Sequence, residues 1–437
     1  MLTWIVIAIF LVTFLLIVFE VFDKAILALM GAVLMIVFGV FDFHEAIEAI
    51  QFETIVLLMS MMLLVEVARE SGIFSWVTVQ LSLKSGGNPL LLFLFLSCIT
   101  FFTSAFLDNV TTIILLVPIT IALVRGVGGD PKPYIIAEIF FADIGGVTTL
   151  IGDPSNIIIG GATHFTFNQF LFNLGIPGLT CMITVFLIFV LILWKNHLHP
   201  ISNDLKKLFS NHLLLHKISY TFLRGRLNKV FMLKSVIILF LTIFGFFFQS
   251  TLGISVAMIA LIGALMLLLV AADEADIHVS LRSVEWSTLL FFSGLFIMVG
   301  AMEKVGVLGL VSNSIIDFSG DNFMLLLLCI LWGTGFTSMV LENTAFVTLM
   351  VPVIFSVQAQ LPPTVNASLL WWALSLGACL GGCGTPIGAS ANVVALALAE
   401  KNDSHISFLG FLKYSLPFTI LMLTISSIYL TLRVFYF

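Results

Sequence analysis

Leu107-Asp108-Asn109-Val110-Thr111-Thr112, running on to Val117-Pro118, and Leu341-Glu342-Asn343-Thr344, running on to Val351-Pro352, interrupt two apolar stretches with one polar pattern. Acid and proline are both displaced by 234 residues between the copies. A second motif follows each copy, Gly145-Gly146-Val147-Thr148-Thr149-Leu150-Ile151-Gly152-Asp153-Pro154-Ser155-Asn156 and Gly381-Gly382-Cys383-Gly384-Thr385-Pro386-Ile387-Gly388-Ala389-Ser390-Ala391-Asn392, displaced by 236. Carboxylates, carboxamides and hydroxyls at matched positions of two apolar halves read as a secondary transporter with its site at a repeat interface.

Composition supports that reading. The 437 residues are 60% hydrophobic and 10% charged, with a mean hydropathy of +1.18, whereas soluble domains carry about a quarter charged residues. The chain is an integral membrane protein, and its first apolar segment, Leu2 to Phe19, is followed by Glu20 and Asp23 and reads as a retained span. Cys98, Cys181, Cys329, Cys379 and Cys383 all lie in apolar segments, where thiols serve packing. No CxxC, HExxH, P-loop or GxSxG motif occurs, so the chain is read as no enzyme, without catalytic residues, cofactor or nucleic-acid partner. Any ATPase would be a separate partner chain.

Ten crossings are expected near 3–19, 25–41, 54–68, 134–162, 170–195, 235–250, 253–272, 286–302, 368–398 and 411–434. The stretches 89–125 and 322–357 are too long for one span and break centrally on the acid-Asn motif. They read as re-entrant helical hairpins, because non-helical backbone at membrane depth must be buried in protein or line a cavity. The expected fold is an all-α polytopic membrane protein with two inverted repeats, 1–195 and 235–437, since five crossings per half turn the second half upside down. Phe52 with Trp286, Thr54 with Thr288 and Gly72 with Gly306 match at the 234-residue spacing. The linker 196–234 carries Lys206, Lys207, Lys217, Arg224, Arg226 and Lys229 against Asp204, and so is expected in the cytoplasm. Counting back puts Arg69, Lys84, Arg125 and Lys132 inside and Asp42, Glu45, Glu48 and Glu53 outside. Asp273, Glu274 and Asp276 then fall inside, which a rule counting only Lys and Arg permits. The first hairpin enters from the cytoplasm and the second from outside.

A hairpin tip at mid-membrane offers the carbonyl end of one arm and the amide end of the next. Carbonyls with Asp, Asn and Thr oxygens suit a hard cation or a proton, and bare helix N-termini suit an anion. The first half supplies Asp108, Asn109, Thr111 and Thr112 from the hairpin with Thr148, Thr149, Asp153, Ser155 and Asn156 from the broken span. The second supplies Glu342, Asn343 and Thr344 with Thr385, Ser390 and Asn392. Gly145, Gly146, Gly152 and Pro154, and Gly381, Gly382, Gly384 and Gly388, are read as the residues that let the span unwind. Sodium is expected, if anywhere, at Asp108, Asn109 and Asn156 and at Glu342, Asn343 and Asn392. Asp143 is a candidate proton relay, and Glu138 lies earlier in the same span. Where the first half has Asp143 and Asp153 the second has Cys379 and Ala389, so the two sites are not electrostatically equivalent. A charge at mid-bilayer is costly unless neutralised, which marks Asp108, Asp153 and Glu342 as functional. The competing reading makes them caps of broken helices, a task that Ser or Asn performs without a charge. Arg125, Glu20 and Glu66 are read as interfacial.

The segments SAFLDNVTTIILLVPITI, IGGVTTLIGDPSNIII and GACLGGCGTPIGASANVVALALAEK resemble the P-protein branch of the arsenite permease and sodium/proton antiporter group, within the ion transporter superfamily that includes citrate-transporter-like domains. The resemblance implies a homodimer in which a scaffold holds a transport domain that carries both hairpins and moves as an elevator. The related dicarboxylate carriers have a Ser-Asn-Thr signature at each tip, where this chain has Asp108-Asn109 and Glu342-Asn343. The P-protein pattern has Asp rather than Glu at the second tip.

The expected function is a proton- or sodium-coupled permease of the arsenite/anion type in the plasma (inner) membrane, taking a small ion or metalloid. A sodium/proton antiporter is the alternative, and a dicarboxylate or citrate carrier a further one.

Overall fold

The computed structural model describes residues 2–19, 22–85, 88–126, 128–193, 228–272, 277–320, 322–363 and 365–436. Most of the basic linker, with Asp204, Lys206, Lys207, Lys217, Arg224 and Arg226, lies outside the described residues, as do Glu20 and the acidic run 273–276. Twenty-one helices and no strand occur among the described residues. The first half contains α1 (Leu2–Val18), α2 (Lys24–Val37), α3 (Phe43–Glu48), α4 (Phe52–Glu70), α5 (Ile73–Lys84), α6 (Pro89–Ser104), α7 (Asn109–Gly126), α8 (Lys132–Val147), α9 (Pro154–Thr163) and α10 (Phe167–Leu193). The second contains α11 (Lys229–Phe247), α12 (Gln249–Leu252), α13 (Val256–Ala271), α14 (Ile277–Arg282), α15 (Trp286–Lys304), α16 (Val307–Ser319), α17 (Phe323–Ser338), α18 (Asn343–Gln360), α19 (Leu369–Gly382), α20 (Ser390–Lys401) and α21 (Phe408–Tyr436).

Apart from the single-turn α12, each helix has a counterpart in the other half, and the local chemistry repeats with it. Asn88 and Asn322 cap α6 and α17 through their side chains, with Pro89 opening α6 where its missing N–H costs nothing. Both hairpins turn through the same bond, from Leu107 N–H to the Thr103 carbonyl (2.8 Å) and from Leu341 N–H to the Thr337 carbonyl (2.9 Å). Gly72 and Gly306 each sit at φ 77°, a left-handed conformation that ends α4 and α15 and sends the chain into α5 and α16. These two short helices follow spans 54–68 and 286–302 and were not expected. Their mixture of Ser, Gln, Asn and apolar residues shows no continuous apolar run.

The two halves are intertwined. α15 packs on α2 and α13 on α4, so each half supplies part of the other's layer. Within a half the first hairpin arm packs on the first piece of the broken span, α6 on α8 and α17 on α19. The second arm crosses over: α7 packs on α20, and α18 on α9. Every residue of α19, and every residue of α8 from Tyr134 onward, is buried, as expected of helices apolar on all sides at the centre of a bundle. Six helical stretches among the described residues are long and apolar enough to cross a membrane, with shorter apolar helices between them. Their outward faces carry exposed Trp4, Leu191, Leu269, Leu409 and Phe435, a surface suited to lipid.

One pair of contacts breaks the symmetry. α9 packs on α4 and α18 on α15, but the matched pairs, α20 with α15 and α7 with α4, are not closely packed. A cavity occupies that space.

Candidate functional site

Both spans break where expected, at residues 148–153 and 383–389, and the break is held by the amides that follow it. The Asn156 amide group donates to the Val147 (3.1 Å) and Thr149 (2.8 Å) carbonyls, and that of Asn392 to Gly382 (2.9 Å) and Thr385 (2.8 Å). These bonds satisfy carbonyls that a broken helix leaves orphaned. Asn156 Oδ1 accepts in turn from Ser375 Oγ at 2.5 Å, joining the two halves. The hydroxyls near the break are engaged in the same way: Thr148 donates to the Gly145 carbonyl (2.6 Å), Thr149 to that of Ala105 and Thr385 to that of Met339. Thr112 and Ser155 are fully buried. The structure therefore does not bring Thr112, Thr148, Thr149, Ser155, Asn156, Thr385 or Asn392 to the cavity wall.

Gly145, Gly146, Gly381 and Gly382 lie inside α8 and α19 rather than in the unwound turns. Close approach explains them. A Cβ on Gly145 would stand 2.3 Å from the Phe101 carbonyl oxygen, and one on Gly381 2.4 Å from that of Gly335, so each hairpin arm rests directly on backbone. Gly146 and Gly382 make the same room for Asn109 and Asn343.

The cavity, of about 220 Å³, is lined by Asp108, Asn109 and Thr111, Asp153 and Pro154, Glu342, Asn343 and Thr344, and Ser390. The N-termini of α7, α9, α18 and α20 all meet there. Its opposite wall comes from α4 (Leu58, Met61, Met62, Val65, Glu66), from Ser283 to Phe292, and from Lys24. Glu66, read from sequence as interfacial, stands on this wall and pairs with Arg69 at 2.5 Å.

In the first half Asn109 organises the carboxylates. Its amide donates to Asp143 Oδ1 (3.1 Å) and Asp153 Oδ2 (3.2 Å), while its Oδ1 accepts from Ser104 Oγ (2.6 Å). Asp153 also accepts from the Ser155 N–H (2.8 Å), capping α9, and Asp108 accepts from the Thr111 N–H (2.9 Å) at the start of α7. Asp143 Oδ2 accepts from Cys383 Sγ at 3.1 Å, so this thiol, read as packing, touches the candidate relay acid. Glu138 is buried beside Thr120, which donates to one carboxyl oxygen, and the other oxygen has no partner among the described residues.

The second half keeps the frame and changes the charges. Ser338 donates to Asn343 Oδ1, as Ser104 does to Asn109, but Cys379 and Ala389 stand where Asp143 and Asp153 stand in the first half. Neither Glu342 nor Ala389 caps its helix, so α18 and α20 present bare N-termini to the cavity. Glu342 turns instead to Lys24, whose Nζ lies 2.7 Å from its Oε1. Sequence reasoning missed Lys24: the partners are 318 residues apart. No cluster of three or more His, Cys, Asp or Glu arranged to hold a metal ion occurs among the described residues. Arg125 is no free interfacial anchor; it donates to the Asn402 carbonyl and to Ser404 Oγ (3.0 Å), tying the ends of α7 and α20 together.

A family model described as "Citrate transporter" matches residues 14–377. The chain belongs to this family. It is 32% identical over 439 residues to a "46 kDa membrane protein" of Mycobacterium leprae, covering 98% of both chains. It is 35% identical over 398 residues to an "Uncharacterized transporter" of Mycobacterium tuberculosis, covering 91% of this chain and 90% of the other. The P protein of Sus scrofa is 30% identical over 502 residues, spanning 95% of this chain and 58% of that one. The crystal structure of the YdaH transporter from Alcanivorax borkumensis superimposes with a TM-score of 0.61 at 16% identity, covering 90% of this chain and 88% of that one. The family and its relatives make the chain a membrane transporter rather than an enzyme.

Proposed function

We propose that the chain is a secondary active transporter that couples a proton or sodium ion, bound by the carboxylates of the first half, to the movement of a small oxygen-bearing solute. The observation that carries this is the pair Asp143 and Asp153 held on the Asn109 amide, with Asp108 at the adjoining start of α7 and with Asp108 and Asp153 on the cavity wall. Buried carboxylates need a proton, a cation or a fixed partner, and Asn109 offers two of them only neutral N–H bonds. The bare starts of α18 and α20, with Ser390 and Thr344, suit the oxygens of a solute.

Charge narrows the solute. Glu66, Asp108, Asp153, Glu285 and Glu342 face the cavity against Lys24 alone among its described lining residues. A free dicarboxylate or citrate, the solute in the family's description, is repelled by such a wall, and a neutral metalloid hydroxide of the arsenite type is not. A sodium/proton antiporter is the second reading, favoured by the first-half carboxylates, which suffice for exchange without any solute.

The loose packing of α7 against α4 and of α20 against α15 supports an elevator in which the hairpins and broken spans slide along a dimeric scaffold. With the basic linker in the cytoplasm, the cavity opens inward, toward Glu66 and Glu285. We place the chain in the plasma (inner) membrane.

Purified protein in liposomes, offered arsenite, sodium, citrate and succinate under a defined pH difference, tests the reading. Saturable flux driven by the gradient for at least one of them, lost in Asp108→Asn, is expected. Flux that does not saturate, or none at all, overturns it.

A further inference from the structure

Lys24 opens α2, a helix packed on α15 and α1, and Asp23 fixes its start by accepting from the Ala25 (2.9 Å) and Ile26 (3.3 Å) N–H groups. The lysine Nζ lies 5.3 Å from the centroid of the Phe291 ring and reaches Glu342 at the cavity wall. Glu342 belongs to the hairpin and Lys24 to the layer it packs against, so the ion pair spans the boundary between them. The counterpart of Asp23 is Ser255, the cap of α13, which puts Val256 where the first half has Lys24. The asymmetry is complete. The charged groups facing the pair in the cavity are Glu66, itself held by Arg69, Asp108, Asp153 and Glu285, all acidic.

We propose that the Lys24 ammonium is a built-in counter-cation at the second hairpin, occupying the place that a proton or alkali cation takes at the first, so that the carrier loads its coupling ion at one hairpin only. This rests on the first-half carboxylates being the cation site. It explains why the second half lacks Asp143 and Asp153: one fixed cation needs one carboxylate. It also explains glutamate at position 342, since the longer side chain reaches the lysine while the shorter Asp108 caps its own helix.

Thermal unfolding of the full chain in detergent, with sodium chloride titrated against choline chloride and with pH varied at constant potassium, tests this. Lys24→Met frees Glu342, and is expected to gain a sodium- or proton-dependent rise in melting temperature beyond that of the unaltered chain. The gain is expected to vanish in Lys24→Met/Glu342→Gln. Glu342→Gln alone is expected to keep the cation response of the unaltered chain, because that response comes from the first hairpin. A Lys24→Met response identical to the unaltered chain, or a gain that persists in the double variant, overturns the proposal. If Lys24→Met does not fold, the exchange Lys24→Glu/Glu342→Lys decides: a folded chain with the original cation response supports the pair, and a changed response overturns it. An unaltered chain with no cation response contradicts the first-half site instead, and a gain in Lys24→Met is still read on its own.

Discussion

At position 108 the side chain is one methylene shorter than at the matched position 342, and that methylene decides which partner each carboxylate reaches. Asp108 bonds its own helix start, and Glu342 reaches Lys24. Asp108→Asn and Glu342→Gln keep the shape without the charge, so each is expected to uncouple or abolish transport with little change in thermal stability; a loss of folding in either contradicts this. Asn109 holds two carboxylates and a hydroxyl, and Asn109→Leu leaves all three without that partner. It is expected to destabilise by about 1–3 kcal/mol in denaturation, the cost of unsatisfied buried polar groups. These acids and amides were legible because they repeat at fixed spacing. Lys24 was not, because a lysine at a helix start reads as an interfacial anchor and nothing in the pattern joins positions 318 residues apart. Nor could spacing say which way the hydroxyls of Thr148, Thr149 and Thr385 point; the broken backbone turns them to its own carbonyls.

At the scale of the element, the hairpins rest on glycine. Gly145→Ala and Gly381→Ala place a methyl group against the backbone of the facing arm, and overpacking of this kind costs about 1–3 kcal/mol. Gly333→Ala, in the same arm as Gly335 but with nothing within 4 Å of its Cβ, is the control and should be neutral or slightly stabilising. Melting temperatures of the three variants check this ordering. The hairpins and broken spans were legible from polar residues in apolar runs; α5 and α16 were not, because short helices of mixed polarity carry no such contrast. A surface contact adds a pH dependence. Lys304, followed by the Asp42 N–H, holds the Glu45 carboxyl below the usual carboxylate range. The tie between α3 and α15 is therefore present above that range and lost as pH falls through the lowered value. Glu45→Gln is expected to remove this part of the acid sensitivity by slightly lowering stability near neutral pH and leaving it unchanged in acid, measured by unfolding across pH.

For the whole molecule, two halves share one helix order and differ in charge. The repeat was legible as two offsets, but the intertwining of α2 with α15 and α4 with α13 was not, because it depends on packing between distant segments. A cysteine at Ala46 is expected to react with a membrane-impermeant reagent only from outside, and one at Asn203 only from the cytoplasm. Labelling of both from one side contradicts the inverted topology. The most direct test of the central claim, that the first-half carboxylates carry the coupling ion, is gradient-driven flux in liposomes across pH for the unaltered chain, Asp108→Asn and Asp153→Asn, each first shown to be folded. The account predicts saturable, pH-dependent flux that both variants lose or uncouple. Unchanged rate, pH dependence and coupling in both would make the carboxylates helix caps and contradict it.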